Sequence, residues 1–429
     1  MEFGAYICLG LVFVFLLLGS PTFLGFGLFM AIASVYFLGL SPIGLATDLF
    51  SHVESFTLLA IPMFVFTGNL MTTGNSSLYL MEFINTMVRH IRGGLGIVVI
   101  LTCGFFAAMC GSGIATAAAI GTVSHKSLVG KGYSREFTGA MIAAGGQLGP
   151  IIPPSIGMIV YCAMAEQNVA FMFIAGFIPG ILLMIAFCFI VFLVSSKHKV
   201  PKQPKGTWPE RGTAFVKAGP ALVAPLIILG GIYGGIFTPT EAGAVAAVWA
   251  FIIGVFIYKG LSSKKKIFEM SKEAAYTTAN IGILIATAVI LGAISSRLGI
   301  PQALAAFVDG MGLTAVSFLL VFSVILIILG MFLEAFAIMV ITVPLLLPAA
   351  LVMGIHPIHF GMVLLFGLGI GQLTPPLGLT LFTVAKFTDQ PSSGVFRAVT
   401  PLTVSFIFVM LLIALIPQLT LFLPNLLMG

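Results

Sequence analysis

The sequence predicts an all-α polytopic membrane protein built as two inverted repeats, each with a re-entrant helical hairpin and a broken transmembrane helix. Three observations carry the prediction: apolar stretches of spanning length recur along the 429 residues, basic residues gather in short loops, and a proline-rich break occurs twice. Hydrophobic residues make up 59% of the chain and charged residues 7%, against roughly 45–50% and 25% in a soluble domain. A bilayer core about 30 Å thick takes about 20 apolar residues per helix. A mean hydropathy of +1.18 with 39 Phe and 20 Met excludes a secreted disulfide scaffold, a nucleic-acid-binding domain and a disordered chain. The net charge of +6 does not point to nucleic acid, because Lys and Arg cluster beside hydrophobic segments.

Apolar segments fall at 4–19, 22–40, 57–74, 94–122, 137–165, 170–195, 218–236, 241–258, 276–296, 315–352, 359–385 and 398–423. The first lacks preceding Lys or Arg and a clear small-residue cleavage site, so it reads as the first helix and not as a removable signal. Cys8, Cys103, Cys110, Cys162 and Cys188 all lie in apolar runs without a CxxC pair and read as small hydrophobes. Lys and Arg are retained on the cytoplasmic side of a membrane protein, which places the loop from Lys197 to Lys217 and the loop from Lys259 to Lys272 inside. The spans between them form a hairpin whose tip, Thr238-Pro239-Thr240, faces out.

Arg89 and Arg92 precede segment 94–122, while Lys126, Lys131 and Arg135 follow it, so that segment enters and returns. The same reasoning makes 315–352 re-enter from outside, leaves only Arg297 outside, and puts both termini on the periplasmic side. The expected organisation is a first repeat over 1–196, a cytoplasmic linker over 197–217 and a second repeat over 218–429. GYSREFTGAM before GGQLGPIIPPS is matched by GIHPIHFGMV before GIGQLTPPLG, with Gln147 corresponding to Gln372. Inverted repeats with broken helices characterise secondary transporters whose binding site lies near the midplane. No GxxxxGK[ST] pattern is present, so the chain does not itself hydrolyse ATP.

At the expected tip of the first hairpin, the run from Gly111 to Gly121 is composed of small residues apart from Ile114 and Ile120. Backbone that leaves helical geometry at membrane depth must be buried in protein or line a cavity, which makes Ser112 a candidate ligand; tight helix packing through small residues is the alternative. In the first break, Pro150, Pro153 and Pro154 remove three amide donors, leaving carbonyls from Gly149 to Pro154 suited to a dehydrated Na⁺. Gly371-Gln372-Leu373-Thr374-Pro375-Pro376 repeats the device, and a hydrated proline kink is the alternative for either break taken alone. Glu334 is the lone carboxylate of segment 315–352. A carboxylate that deep marks a functional site, here one that contacts substrate hydroxyls or aids cation binding, unless a neighbour keeps it neutral. His356 and His359 are a weak metal pair, with Pro357 between them in an outer loop.

These motifs resemble the large membrane subunit of the tripartite ATP-independent periplasmic (TRAP) transporters. The resemblance runs through AIPMF at Ala60, GNLM at Gly68, RGGL at Arg92, GSGIATAAAIG, GYSREFTGA, IIPPS, FTPTEAGAVAA at Phe237, GMFLEAFA at Gly330 and GQLTPPLG. It implies an elevator-type, Na⁺-coupled symporter subunit for small organic acids in a bacterial inner membrane. It also implies a small four-helix membrane subunit and a periplasmic substrate-binding protein as partners. One Na⁺ site would use the Ser112 region with Gly149, Ile152 and Pro154, and the other the Gly330 region with Gly371, Thr374 and Pro376. Substrate would lie near Ser112, Ser155 and Glu334, where the family more often has Asp than Glu. The chain looks closest to the sialic acid branch, with C4-dicarboxylates next. Ser112 and both breaks would move together, while segments 22–40 and 218–258 stay with the scaffold. No unopposed Arg or Lys occupies the expected core, so an anionic substrate would be held by helix N-termini, hydroxyls and Na⁺. A passive channel and an interaction-only scaffold are the rival classes; an intramembrane enzyme lacks a paired acid–base or Ser–Lys arrangement.

Overall fold

A computed structural model describes residues 22–32, scattered positions between 35 and 47, and residues 56–197 and 203–428. The expected first helix over 4–19 and Cys8 lie outside the described residues. Among those described, every regular element is helical and there is no strand.

The chain runs through α1 (Thr22–Ile32), α2 (Ala60–Thr73), α3 (Ser76–Val88), α4 (Gly94–Cys110), α5 (Gly113–Gly130), α6 (Arg135–Gly146), α7 (Ile156–Ala165) and α8 (Val169–Lys197). It continues through α9 (Trp208–Tyr233), α10 (Pro239–Ile252), α11 (Lys264–Arg297), α12 (Ile300–Gly310), α13 (Ala315–Gly330), α14 (Ala335–Val352), α15 (Pro357–Gly371), α16 (Leu379–Phe387), α17 (Ser392–Leu415) and α18 (Gln418–Met428). Among the described residues six helices, α8, α9, α10 with its one-turn π extension, α11, α14 and α17, are long and apolar enough to cross a membrane.

Segments 94–122 and 315–352 are each a pair of helices that meet at a short turn. The first pair turns at Gly111, whose φ of +62° is left-handed and available to Gly at little cost, and at Ser112, whose hydroxyl accepts from the Ala115 amide and starts α5. The second pair turns over Met331 to Glu334. Segments 137–165 and 359–385 are interrupted over 147–155 and 372–378, and each interruption contains a cis Pro-Pro bond. α4 packs on α6 as α13 packs on α15. On the other side of the molecule, α2, α3, α9, α10 and α11 pack on one another.

Several boundaries differ from the sequence reading. The stretch read as a linker becomes helical at Trp208, where Thr207 and Glu210 form a reciprocal capping box with Pro209 in the first turn. Ahead of it, residues 203–207 are pinned down, because Arg89 donates to the Pro204 carbonyl at 2.9 Å and pairs with Glu210 at 2.8 Å. Helix α3 is not among the apolar segments of the sequence because Glu82, Asn85 and Thr86 interrupt its hydropathy. It is held by Leu80 and Ile84 in the core and by Tyr79 stacked on Tyr258 at 4.4 Å. Segment 276–296 is the apolar part of the 34-residue α11, which begins in the Lys264–Lys266 run. The last segment divides at Pro417, which cannot continue α17.

Glycines set the closest approaches. A Cβ on Gly371 would lie 2.6 Å from the Gly330 Cα, whereas one on Gly282 in α11 would meet nothing within 4 Å. Gly371→Ala is therefore expected to cost about 1–3 kcal/mol through overpacking, read as a lower melting temperature in detergent, and Gly282→Ala is expected to show no loss.

Candidate functional site

Each hairpin tip rests directly on its own broken helix. A Cβ on Gly149 would fall 2.6 Å from the Ser112 carbonyl carbon, and Gly371 meets Gly330 as closely. Backbone hydrogen bonds join the same pieces: the Ile156 amide donates to Gly111 O at 3.2 Å, and the Leu377 amide donates to Met331 O at 3.3 Å. The structure thus brings Ser112 together with the break containing Gly149, Ile152 and Pro154. It likewise brings Gly330 together with the break containing Gly371, Thr374 and Pro376.

Among the described residues no hydrogen bond reaches the carbonyls of Gly149, Ile152, Pro154, Gly330, Thr374 or Pro376, while Gly371 O accepts from the Thr374 amide. Free carbonyls in a proline-interrupted segment are hard oxygen donors, the chemistry that a dehydrated alkali cation requires. The residues present fit such an ion. The two breaks differ in setting: Gly149, Pro153, Pro154 and Ser155 are buried, whereas Pro375, Pro376 and Leu377 are exposed.

A cavity of about 620 Å³ separates the two hairpin tips from α2 and α11. Ser112 and Glu334 line it from the tips, Asn69 and Thr72 from α2, and Glu273 and Asn280 from α11. A second cavity of about 110 Å³ shares Ser112 and Glu334 with the first and runs between the two breaks to Gln147 and Gln372. Among the described residues no Lys, Arg or His lines either one.

Three helix starts converge here. Ser112 caps α5, Ser155 caps α7 with its hydroxyl accepting from the Met158 amide, and Glu334 caps α14 through Oε2, which accepts from the Phe336 and Ala337 amides at 3.1 and 3.4 Å. Each helix N-terminus carries roughly half a positive charge, so the site presents positive potential from backbone amides instead of basic side chains. Ser155 does not reach either cavity: it is 1% exposed and donates to Pro150 O at 2.7 Å. Glu334 does reach the cavity, with one oxygen engaged as a cap. His356 caps α15 and His359 pairs with Thr420 at 2.9 Å, so the two imidazoles make separate contacts.

The sequence reading missed two groups. Glu273, Thr277 and Asn280 line the larger cavity from one face of α11; their helical spacing beside an apolar run was the signal. Gln147 and Gln372 served only to align the repeats, yet they touch, with Gln147 Nε2 donating to Gln372 Oε1 at 3.2 Å.

The sequence matches the family described as tripartite ATP-independent periplasmic transporter, DctM component, over residues 9–419. It is 39% identical to the C4-dicarboxylate TRAP transporter large permease protein DctM of Pseudomonas aeruginosa, over 89% of each chain. It is 36% identical to the sialic acid TRAP transporter large permease protein SiaM of Vibrio cholerae, over 98% of this chain and 97% of that one. The fold is also that of the Alcanivorax borkumensis YdaH transporter, with a TM-score of 0.64 and 14% identity over 86% of each chain.

The cavity walls can be read by thiol labelling in a chain whose five native cysteines are replaced by alanine. Asn280→Cys and Ala118→Cys, both on the larger cavity, are expected to react with a charged methanethiosulfonate reagent. Thr138→Cys, at a position with no exposure, is expected to remain unlabelled.

Proposed function

The chain belongs to the DctM-component family of the tripartite ATP-independent periplasmic transporters, and from that premise we propose that it is the large permease of a Na⁺-coupled importer of a small organic acid, sialic acid ahead of a C4-dicarboxylate. The observation that carries the reading is the 620 Å³ cavity between paired hairpin tips and the α2–α11 face, with helix N-termini at its wall. An anion is held there by backbone amides and by Na⁺ ions on the two sets of free carbonyls. Na⁺ supplies the missing positive charge; Ser112, Gly149, Ile152 and Pro154 would hold one ion, and Gly330, Gly371, Thr374 and Pro376 the other. Glu273 and Glu334 without a basic partner favour a monoanion rich in hydroxyls over a dianion, which supports sialic acid as the substrate.

The elevator reading rests on the contact between the first tip and α2. A Cβ on Gly68 would stand 2.9 Å from Cys110 Cβ, so these surfaces meet through small side chains, and small residues permit close and adjustable backbone approach. The hairpins and breaks move as one body past α2, α9, α10 and α11. The larger cavity reaches Glu273, toward the Lys264–Lys266 end of α11, which the positive-inside rule places in the cytoplasm; the cavity therefore faces inward. A small membrane subunit braces the α9–α10 side and a periplasmic binding protein delivers substrate, as the family implies.

The test is uptake of labelled sialic acid into proteoliposomes holding this chain with its small membrane subunit, with and without binding protein and an inward Na⁺ gradient. Uptake is expected to need both. Success with a dicarboxylate alone would move the substrate, and Na⁺-independent flux without binding protein would favour a channel. Glu334→Gln is expected to lower the initial rate about tenfold, equal to 1.4 kcal/mol, with the melting temperature retained because the amide oxygen still caps α14.

A further inference from the structure

We propose that the carboxamides of Asn69 and Asn280 form the stationary half of the substrate site, where in the inward-facing state they hydrogen-bond hydroxyls of a polyhydroxylated acid whose charged end stays with the hairpin tips. The inference rests on the importer and elevator readings of the same cavity and adds to them two specificity residues and the step at which they act.

Asn69, Thr72 and Thr73 stand at i, i+3 and i+4 in α2, and Glu273, Thr277 and Asn280 at i, i+4 and i+7 in α11, so each helix turns one polar stripe to the 620 Å³ cavity. Beyond Asn280 the same wall becomes apolar at Ile281 and Leu284. Asn280 is exposed and Asn69 half-buried on this wall. An asparagine within a membrane helix ordinarily bonds a neighbouring helix. Among the described residues neither of these carboxamides makes a hydrogen bond, whereas Thr72 spends its hydroxyl on the Gly68 carbonyl at 2.8 Å. Helix packing therefore does not account for Asn69 and Asn280, whose two N–H donors and one carbonyl oxygen apiece stay open to the cavity that they line.

The chemistry of the stripe selects what it receives. A hydroxyl both donates and accepts, so one carboxamide serves neighbouring hydroxyls; a carboxylate only accepts. Glu273 lies about 6 Å along the helix axis from Thr277 and about 10 Å from Asn280, and its charge repels a carboxylate from this wall. The helix starts of the tips and the Na⁺ proposed there attract it instead. The acid is thereby oriented, with its carboxylate on the hairpins and its hydroxyls on α2 and α11. Because α2 and α11 stay in place while the tips travel, these hydrogen bonds exist in the inward-facing state alone. They strengthen binding in that state and in no other, so they govern release to the cytoplasm and leave capture from the binding protein untouched.

The experiment uses the full chain with its small membrane subunit in proteoliposomes. Binding protein supplied outside restricts the readout to copies whose periplasmic face is outward. Na⁺-driven uptake of labelled N-acetylneuraminate is followed against rising unlabelled N-acetylneuraminate, or succinate, in the lumen. Asn280→Ala is expected to raise the luminal N-acetylneuraminate concentration for half inhibition about tenfold and Asn69→Ala about threefold, as loss of one or two hydrogen bonds does. The half-saturating concentration of loaded binding protein outside is expected to hold. Alanine is the better helix former, so melting temperatures are expected to hold too, and Asn280→Gln, which keeps a carboxamide, is expected to recover most of the inhibition. Should either alanine variant fail to fold, Asn280→Ser takes its place with the same expectation. Folded variants with wild-type luminal inhibition would overturn the proposal, as would equal shifts on the two sides, the mark of a packing role. A wild type that luminal N-acetylneuraminate never inhibits, or that luminal succinate alone inhibits, would overturn it as well, with the importer reading left standing. Absence of any binding-protein-dependent uptake by the wild type would instead remove the importer reading, and this inference with it.

Discussion

A helix interrupted at membrane depth leaves amides and carbonyls that lipid cannot satisfy, and each unsatisfied group there costs several kcal/mol. The rest of the structure follows from how this constraint is met. Amides at the starts of α5, α7 and α14 are taken up by Ser112, Ser155 and Glu334. The Ile156 and Leu377 amides are taken up by carbonyls of the facing tips. Gly149 and Gly371 allow each break to lie against its tip with no side chain between them. The interruption is therefore shared by two elements, and tip and break stand or fall together.

Amides are satisfied more completely than carbonyls, and the asymmetry has an electrostatic result. Prolines remove donors and leave acceptors, so the breaks are rich in oxygen, while the capped helix starts supply positive potential close by. On the proposed reading, this is what would hold an anion and small cations without a guanidinium clamp. Bidentate Arg pairs are among the stronger charged contacts, and dipoles with exchangeable ions, in the function proposed above, would suit a substrate that must also be released.

Most of this architecture was legible where residue type alone settles backbone geometry. Glycine beside serine marked the first tip, and the two proline-rich breaks announced themselves because no continuous helix accommodates them. Thr207 with Glu210 is an equally readable helix start, but it lies among lysines whose spacing reads as a loop. Helix α3 was hidden because its stability comes from tertiary packing on α9 and not from an apolar run. The role of Ser155 could not be foreseen, since a serine beside prolines is equally able to face a cavity or to bond Pro150 O, as it does. Glu273 and Asn280 became visible as site residues only once α2 and the tips closed a cavity against α11.

Contact between Gln147 and Gln372 gives the alignment of the two halves a physical content. Each glutamine terminates the helix before a break, as the residue following α6 or α15, so joining them fixes one break relative to the other. Apolar packing between the halves, such as Phe187 on Phe406 at 5.6 Å, tolerates small slides because dispersion is weakly directional. A hydrogen-bonded triangle with Thr380 does not, since buried donors and acceptors lose their partners when the register shifts. Five residues lie between Gln147 and Pro153 and two between Gln372 and Pro375, so the breaks differ in length downstream of a common anchor. The extra residues of the first reach in beneath α8, where a Cβ on Gly180 would lie 2.8 Å from the Ile152 side chain; the shorter second break leaves Pro375 to Leu377 exposed. The two breaks thus keep a shared register at the centre while one is enclosed and the other open.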